Sequence, residues 1–166
     1  MVIIYRSNTG FTREYAQMLA RGEKLNMYEL SQAKFPRETP VFYMGPLLAG
    51  HISGIDEAMK RFSVQGVCGV GMSPPGEAVL SSLRRANYIP NLPLFYLQGG
   101  WAPKRVGWLK RRMVNMATRS MRRALQEKVG RTLEEQAQLD FLLQGGSFVA
   151  YENLDEIRAW LKRQAG

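Results

Sequence analysis

A chain of 166 residues, 45% hydrophobic and 22% charged, has room for one domain whose core needs neither disulfide nor metal, and this balance excludes wholesale disorder and a bundle of membrane spans. Its 23 Lys and Arg outnumber 14 Asp and Glu, and the net charge of +9 points to an anionic partner such as a phosphate, a nucleic acid or a lipid surface. The single cysteine, Cys68 in G-V-C-G-V-G, has no partner for a disulfide within the chain and reads as a buried thiol.

The first predicted element is a strand, Val2 to Tyr5. It begins too early for a charged segment and a cleavable apolar segment to precede it, and no later stretch reaches the ~18 apolar residues of a spanning helix, so a cytoplasmic protein is expected. A small polar loop follows, then a helix over about Phe11 to Arg21 with Tyr15, Met18 and Leu19 at the spacing of a buried face. Met27 to Leu30 is a weaker strand, followed by a Pro-bearing loop at Phe35 to Pro40. Further strands are predicted at Val41 to Met44, Val67 to Met72 and Leu94 to Leu97, with helices over Ile55 to Phe62 and about Glu77 to Arg85. After the fifth strand one long helix is expected over roughly Lys104 to Lys128, then another over Leu133 to Leu143. A Gly-Gly turn, the apolar piece S-F-V-A-Y and a last helix, Leu154 to Lys162, close the chain; Asn153, Asp155 and Glu156 signal the start of that helix. Strands alternating with helices imply right-handed crossovers and a parallel sheet covered on both faces, in a single domain spanning 1–166.

The loop after the first strand, Ser7-Asn8-Thr9-Gly10-Phe11-Thr12, carries the sharpest chemistry. In an open parallel sheet, ligands sit outside the carboxyl ends of the strands. Small hydroxyl and amide side chains there, with Gly10 to turn the backbone, offer several donors at a helix start whose dipole favours an anion. No Lys follows the glycine, so the loop is not that of a nucleotide triphosphatase. It suits a phosphate monoester held by hydrogen bonds. The plainer alternative is that Thr9 or Thr12 merely caps the helix.

This segment resembles the FMN-phosphate loop of flavodoxins, [ST]-x-T-G-x-T, at every defined position. M-G-P-L-L-A-G-H-I-S-G after the third strand resembles the loop lying against one side of the flavin ring, and G-M-S-P-P-G falls where the second ring-flanking loop belongs. Within that superfamily the likeness is closest to the menaquinone-dependent protoporphyrinogen dehydrogenase branch, where a long aromatic and basic helix follows the fifth strand, as in G-G-W-A-P-K-R-V-G-W-L-K-R-R-M. The resemblance implies an α/β flavodoxin-like doubly wound sheet of five parallel strands, order 2-1-3-4-5. It implies FMN held by Ser7, Asn8, Thr9, Gly10, Phe11 and Thr12, with Pro46, Leu47, Leu48, Ala49, Gly50 and His51 facing the ring. Met72, Ser73 and Pro74 would close the other side, and Trp101 would help gate the substrate side. Neither ring loop supplies Trp or Tyr, so His51 is the one aromatic ring there.

His51 is either a hydrogen-bonding or acid/base group at the flavin edge or a surface histidine with no task. One His and one Cys make no metal site. Gly69 and Gly71 fall short of a dinucleotide fingerprint, because Pro74 occupies its third glycine position; they read as close-packing positions, with Gly71 a point of backbone access to a ring.

Residues 104–131 hold ten basic residues and one acid, Glu127, which is the charge of the whole chain. As a helix, this segment gathers Leu109, Met113, Met116, Ala117, Ser120 and Ala124 on one side and Trp108, Arg111, Arg112, Arg119, Arg122 and Arg123 on the other, so the Met face is expected to cover the sheet. The Arg face is a solvated surface, a contact for an anionic membrane surface, or a sequence-independent contact for nucleic acid, the last disfavoured by the lack of any reading motif. The expected protein is an FMN-binding redox domain. It serves as a dehydrogenase or reductase for a quinone- or porphyrin-type substrate, or as an electron carrier working with a redox partner. The alternative is a non-enzymatic anion- or membrane-surface-binding domain that kept the fold without flavin. Soluble shuttling flavodoxins are typically acidic, and this chain is basic.

Overall fold

The computed structural model describes residues 1–166. In chain order the elements are β1 (Val2–Tyr5), α1 (Phe11–Glu23), β2 (Met27–Glu29), β3 (Pro40–Leu48), β4 (His51–Ile52), α2 (Ile55–Arg61), β5 (Ser63–Gly71), α3 (Glu77–Asn87) and β6 (Leu94–Gln98). There follow β7 (Gly100–Trp101), α4 (Trp108–Ala117), α5 (Arg119–Glu127), α6 (Leu133–Gln144), β8 (Gly146–Ser147), a 3₁₀ turn (Tyr151–Leu154) and α7 (Asp155–Ala165). The chain divides into two compact units, one of residues 1–99 with 148–166 and one of residues 100–147.

In the first unit the sheet order is β2-β1-β3-β5-β6, every neighbouring pair parallel. With the two-residue β4 set aside, this is the doubly wound order 2-1-3-4-5 of a flavodoxin-like fold, as expected. Alternation along the strands feeds two cores. Ile3, Phe42, Met44 and Cys68 pack with Tyr15 and Leu19 of α1 and with Ile157 and Trp160 of α7. Ile4, Val41, Tyr43 and Val67 turn the other way, onto Ile55 and Ala58 of α2 and Leu83 of α3. Each such apolar side chain removed from water contributes about 1.5–3 kcal/mol. Burial pushes the Cys68 thiol well above its usual range, as befits an inert core cysteine.

β3 and β5 outrun the predicted strands. Gly45 and Pro46 read as a break, yet both lie in β3. A Cβ on Gly45 would come within 2.7 Å of the Ser53 carbonyl, so the glycine lets the returning backbone approach, and the Pro46 carbonyl accepts from Ser53 N at 2.9 Å. Asn153 does not cap α7. Its Nδ2 donates instead to Tyr15 Oη at 2.8 Å and to the Phe148 carbonyl at 2.9 Å, and the 3₁₀ turn leads into the helix.

In the second unit β7 and β8 pair antiparallel, Gly100 opposite Ser147 and Trp101 opposite Gly146. The single long helix expected over Lys104 to Lys128 is instead two, parted at Thr118, whose Oγ1 donates to the Val114 carbonyl at 2.8 Å. Thr118 N also donates to the Val114 carbonyl at 2.9 Å, and the residue leaves the helical region at φ −99°, ψ 2°; hydroxyl back-bonding of this kind bends helices, and here the break comes without Gly or Pro. The Met face is not buried: Leu109, Met113 and Met116 are 58%, 58% and 68% exposed. α6 starts on a capping box, in which Thr132 Oγ1 accepts from Glu135 N and the Glu135 carboxylate accepts from Thr132 N. Hydrogen bonds from Lys128 and from the Thr132 amide hold the Glu135 carboxyl below its usual range.

Candidate functional site

The strand order reverses between β1 and β3, and the loop from Arg6 to Gly10 leaves the sheet at that point before opening α1. Gly10 takes φ 100° and ψ −22°, a left-handed conformation that glycine adopts without strain, and stands at the helix N-cap position. Gly10, at the N-cap, offers no side chain of its own to cap α1. A helix leaves its first amides without intrahelical acceptors. Here Ser7 Oγ accepts from Gly10 N at 3.2 Å and Arg13 N at 3.4 Å, which ties the loop to the helix mouth. Thr12 is buried, Ser7 and Thr9 are half-buried, and Asn8 and Arg13 are exposed. Three hydroxyls, an amide side chain, first-turn N–H groups and the positive end of the dipole form a donor set whose chemistry fits a phosphate dianion.

The ends of β5 and β6 crowd the same corner. A Cβ on Gly99 would lie 3.0 Å from Phe11 Cβ and 2.9 Å from Val70 Cγ1, so only glycine passes there. Gln98 Nε2 donates to the Met72 carbonyl at 2.9 Å, and Tyr96 Oη donates to the Ser73 carbonyl at 2.7 Å. Burial pushes the Tyr96 phenol up to about 12, so it remains a donor well into the alkaline range. The segment Met72 to Pro74 is therefore pinned through its backbone, with the Ser73 and Pro74 side chains exposed. Tyr15, fully buried and raised in pKa by that burial, donates to the Gln98 carbonyl at 2.7 Å and fastens the end of β6 to α1.

Pro46 to His51 do not form the open loop that was expected. Pro46, Leu47 and Leu48 end β3, and Ala49 (φ 49°) and Gly50 (φ 81°) make the two-residue turn of a hairpin closed by His51. Leu47 lies against Gly69 and Gly71. A Cβ on Gly71 would meet Leu47 Cδ1 at 2.9 Å and Tyr96 Oη at 2.8 Å, so both glycines serve close packing and those side chains fill the room beside Gly71. Leu48 is 52% exposed at the hairpin tip. His51 Nε2 sits 3.0 Å from Asp56 Oδ2 in the first turn of α2, so the imidazole braces the hairpin against that helix.

Sequence reasoning missed the residue that holds this hairpin. Asn87, at the last position of α3, is 5% exposed, accepts from Ile52 N at 2.7 Å and donates to the Gly50 carbonyl at 3.2 Å and the Leu83 carbonyl at 2.9 Å. Its only signal was position, and an Asn near a helix end reads as an ordinary terminator.

The structure thus brings 7–12, 46–52 and 72–74 to the carboxyl edge of adjacent strands β1, β3 and β5. Trp101 lies on β7 in the second unit and is 3% exposed. A cleft of about 610 Å³ is lined by Pro103, Lys104, Arg111, Asn115, Arg122 and Leu142, among others of that unit, and by none of residues 7–12.

No family model matches the chain, and no curated protein matches it. Among solved structures it is similar to a flavodoxin from the domain Archaea, at 13% identity and TM-score 0.36, over 58% of this chain and 81% of that one. It is also similar to a candidate flavoprotein from Bacteroides eggerthii DSM 20697, at 13% identity and TM-score 0.37, over 70% of this chain and 95% of that one. These scores add nothing to the strand order, on which the assignment to the flavodoxin-like α/β class stands. No helix is long and apolar enough to cross a membrane.

Proposed function

We propose that the sheet unit is an FMN-binding redox domain. The observation that carries this is the Ser7 to Thr12 loop, a hydroxyl and amide donor set opening α1 through a left-handed Gly10 where the strand order reverses. Ser7, Asn8, Thr9 and Thr12 and the first amides of α1 would hold the phosphate. The β3–β4 hairpin, with exposed Leu48 at its tip, and the Met72 to Pro74 segment would flank the ring. When bound, FMN supplies the electron-transfer chemistry. The chain's own residues bind and orient: Asn87 and His51 hold the hairpin, while Tyr96 and Gln98 hold the opposite segment.

Within that frame the protein acts as an electron-transfer domain or as a dehydrogenase or reductase for a quinone- or porphyrin-type substrate. The motif resemblance to the protoporphyrinogen dehydrogenase branch and the basic charge favour the second over a soluble shuttle. We place it in the cytoplasm, where a lone buried thiol needs no disulfide partner. One observation favours a binding domain without flavin: Ser7 Oγ already satisfies two amides of the loop.

Titration of the purified apo-protein with FMN and with riboflavin, followed by visible absorbance, separates these readings. A phosphate held by charge-assisted hydrogen bonds makes FMN at least about tenfold tighter than riboflavin, and Thr9→Ala removes part of that advantage. Equal affinity for the two flavins overturns the phosphate loop, and no yellow complex with either overturns the flavin reading.

A further inference from the structure

The feature that the flavin site does not use is the outer surface of α4. At 100° per residue, Leu109, Met113 and Met116 fall within about 60° of arc, with Arg112 on one margin, Lys110 on the other and Trp108 beyond Arg112. Arg111 and Asn115, on the opposite side, line the cleft of the same unit, so the stripe is the side that faces out. Trp108 is 67% exposed, and Met121 on α5 adds a further exposed apolar group at 47%. Water gains nothing from these side chains, and soluble surfaces seldom gather large apolar residues into one face.

Charge selects the occupant. From Ala78 to Gln126 the chain holds no Asp or Glu, while Lys104, Arg105, Arg111, Arg112, Arg119 and Arg123 are exposed in this unit. The first acid after that stretch, Glu127, is already paired with Arg123 at 2.7 Å. A second copy of this chain would set one cationic face against another. A nucleic acid would use the cations and leave the Leu and Met side chains wet. An anionic lipid surface uses both, taking the apolar stripe to the depth of the headgroup boundary while phosphates surround the Lys and Arg side chains and an indole sits at the interface.

We infer that α4 is an interfacial helix that docks this protein on anionic lipid membranes through Leu109, Met113 and Met116, with Trp108 and the flanking cations at headgroup level. The inference does not rest on the flavin reading.

Flotation with phosphatidylcholine vesicles, with and without added phosphatidylglycerol, tests it on the full chain. Binding is expected to the mixed vesicles, to weaken with salt, and to fall about fivefold for each cation removed near the surface, as in Lys110→Ala or Arg112→Ala. The variant Leu109→Ser, Met113→Ser, Met116→Ser should bind at least tenfold more weakly with an unchanged melting curve, since all three side chains are exposed. Trp101 and Trp160 are buried, so a blue shift of tryptophan emission on mixed vesicles reports Trp108 and should vanish in Trp108→Phe. Unchanged binding by the Ser variant, tighter binding to duplex DNA than to vesicles at equal phosphate, or a Trp108 shift on self-association without lipid each overturns the proposal.

Discussion

In the sheet unit Phe42, Phe95 and Trp160 pack edge-on and tilted with ring centroids 5.5–6.0 Å apart, and a Cβ on Gly66 would strike the Trp160 ring at 2.8 Å. In residues 100–147 the buried apolar side chains are Trp101, Leu125 and Leu139, while Trp108, Leu109, Met113, Met116, Met121, Val129, Leu133 and Leu143 face out. The first part of the chain buries most of its large apolar groups in two cores, and the second presents many of its own alongside its cations. Stability and surface chemistry are thus assigned to different stretches, and substitutions in the two should fail in different ways.

The largest contrast is expected from Phe42→Ala, which empties a fully buried site and should cost about 3–5 kcal/mol, against Met113→Ala, which should move stability by less than about 0.5 kcal/mol. Urea unfolding of the two variants measures both; a large loss for Met113→Ala would mean that the stripe is packed. Alkali comes next. Burial raises the phenols of Tyr15, Tyr43 and Tyr96 above their usual value of 10.0, so folding keeps protons that the unfolded chain sheds. Their contribution is intact below that value and drains away as pH climbs toward 12 and beyond. Residues 100–147 hold no tyrosine. Amide exchange at rising pH should therefore loosen the sheet unit through this route, and Tyr96→Phe should flatten the slope.

Asn87→Ala leaves the Ile52 amide and the Gly50 carbonyl without their side-chain partner and should cost about 1–3 kcal/mol. Asn87→Asp keeps the acceptor for Ile52 N and should recover part of it. In the helical unit the comparable loss is smaller: Thr132→Ala removes the capping box of α6 for about 1 kcal/mol, seen as faster amide exchange confined to 133–144.

The sheet order and the turn from β1 into α1 were legible because each rests on local rules: apolar runs bounded by turn residues, and Gly10 among small polar residues at a helix start. What escaped were features set by partners distant in sequence. Gly45-Pro46 looks like a stop until Ser53 and Ile52 are seen packed against it. Asn87 looks like a terminator until the hairpin arrives beside it. The break at Thr118 has neither Gly nor Pro to announce it. The α4 stripe was recognised as a coherent face, but a helical wheel fixes which residues share a side and not which way that side points. Leu109, Met113 and Met116 keep the same period whether they face a core or a solvent.

The amide of Phe148 donates to the carbonyl of Gly99 at 2.8 Å, so the two residues bracketing 100–147 are hydrogen-bonded neighbours. Rejoining them through a short glycine bridge would ask for little backbone movement and would shorten the loop that folding has to close. Such a trimmed chain retains every strand of the five-stranded sheet and both of its cores. A junction that tolerates excision also tolerates replacement, which makes this the natural graft point for a foreign segment.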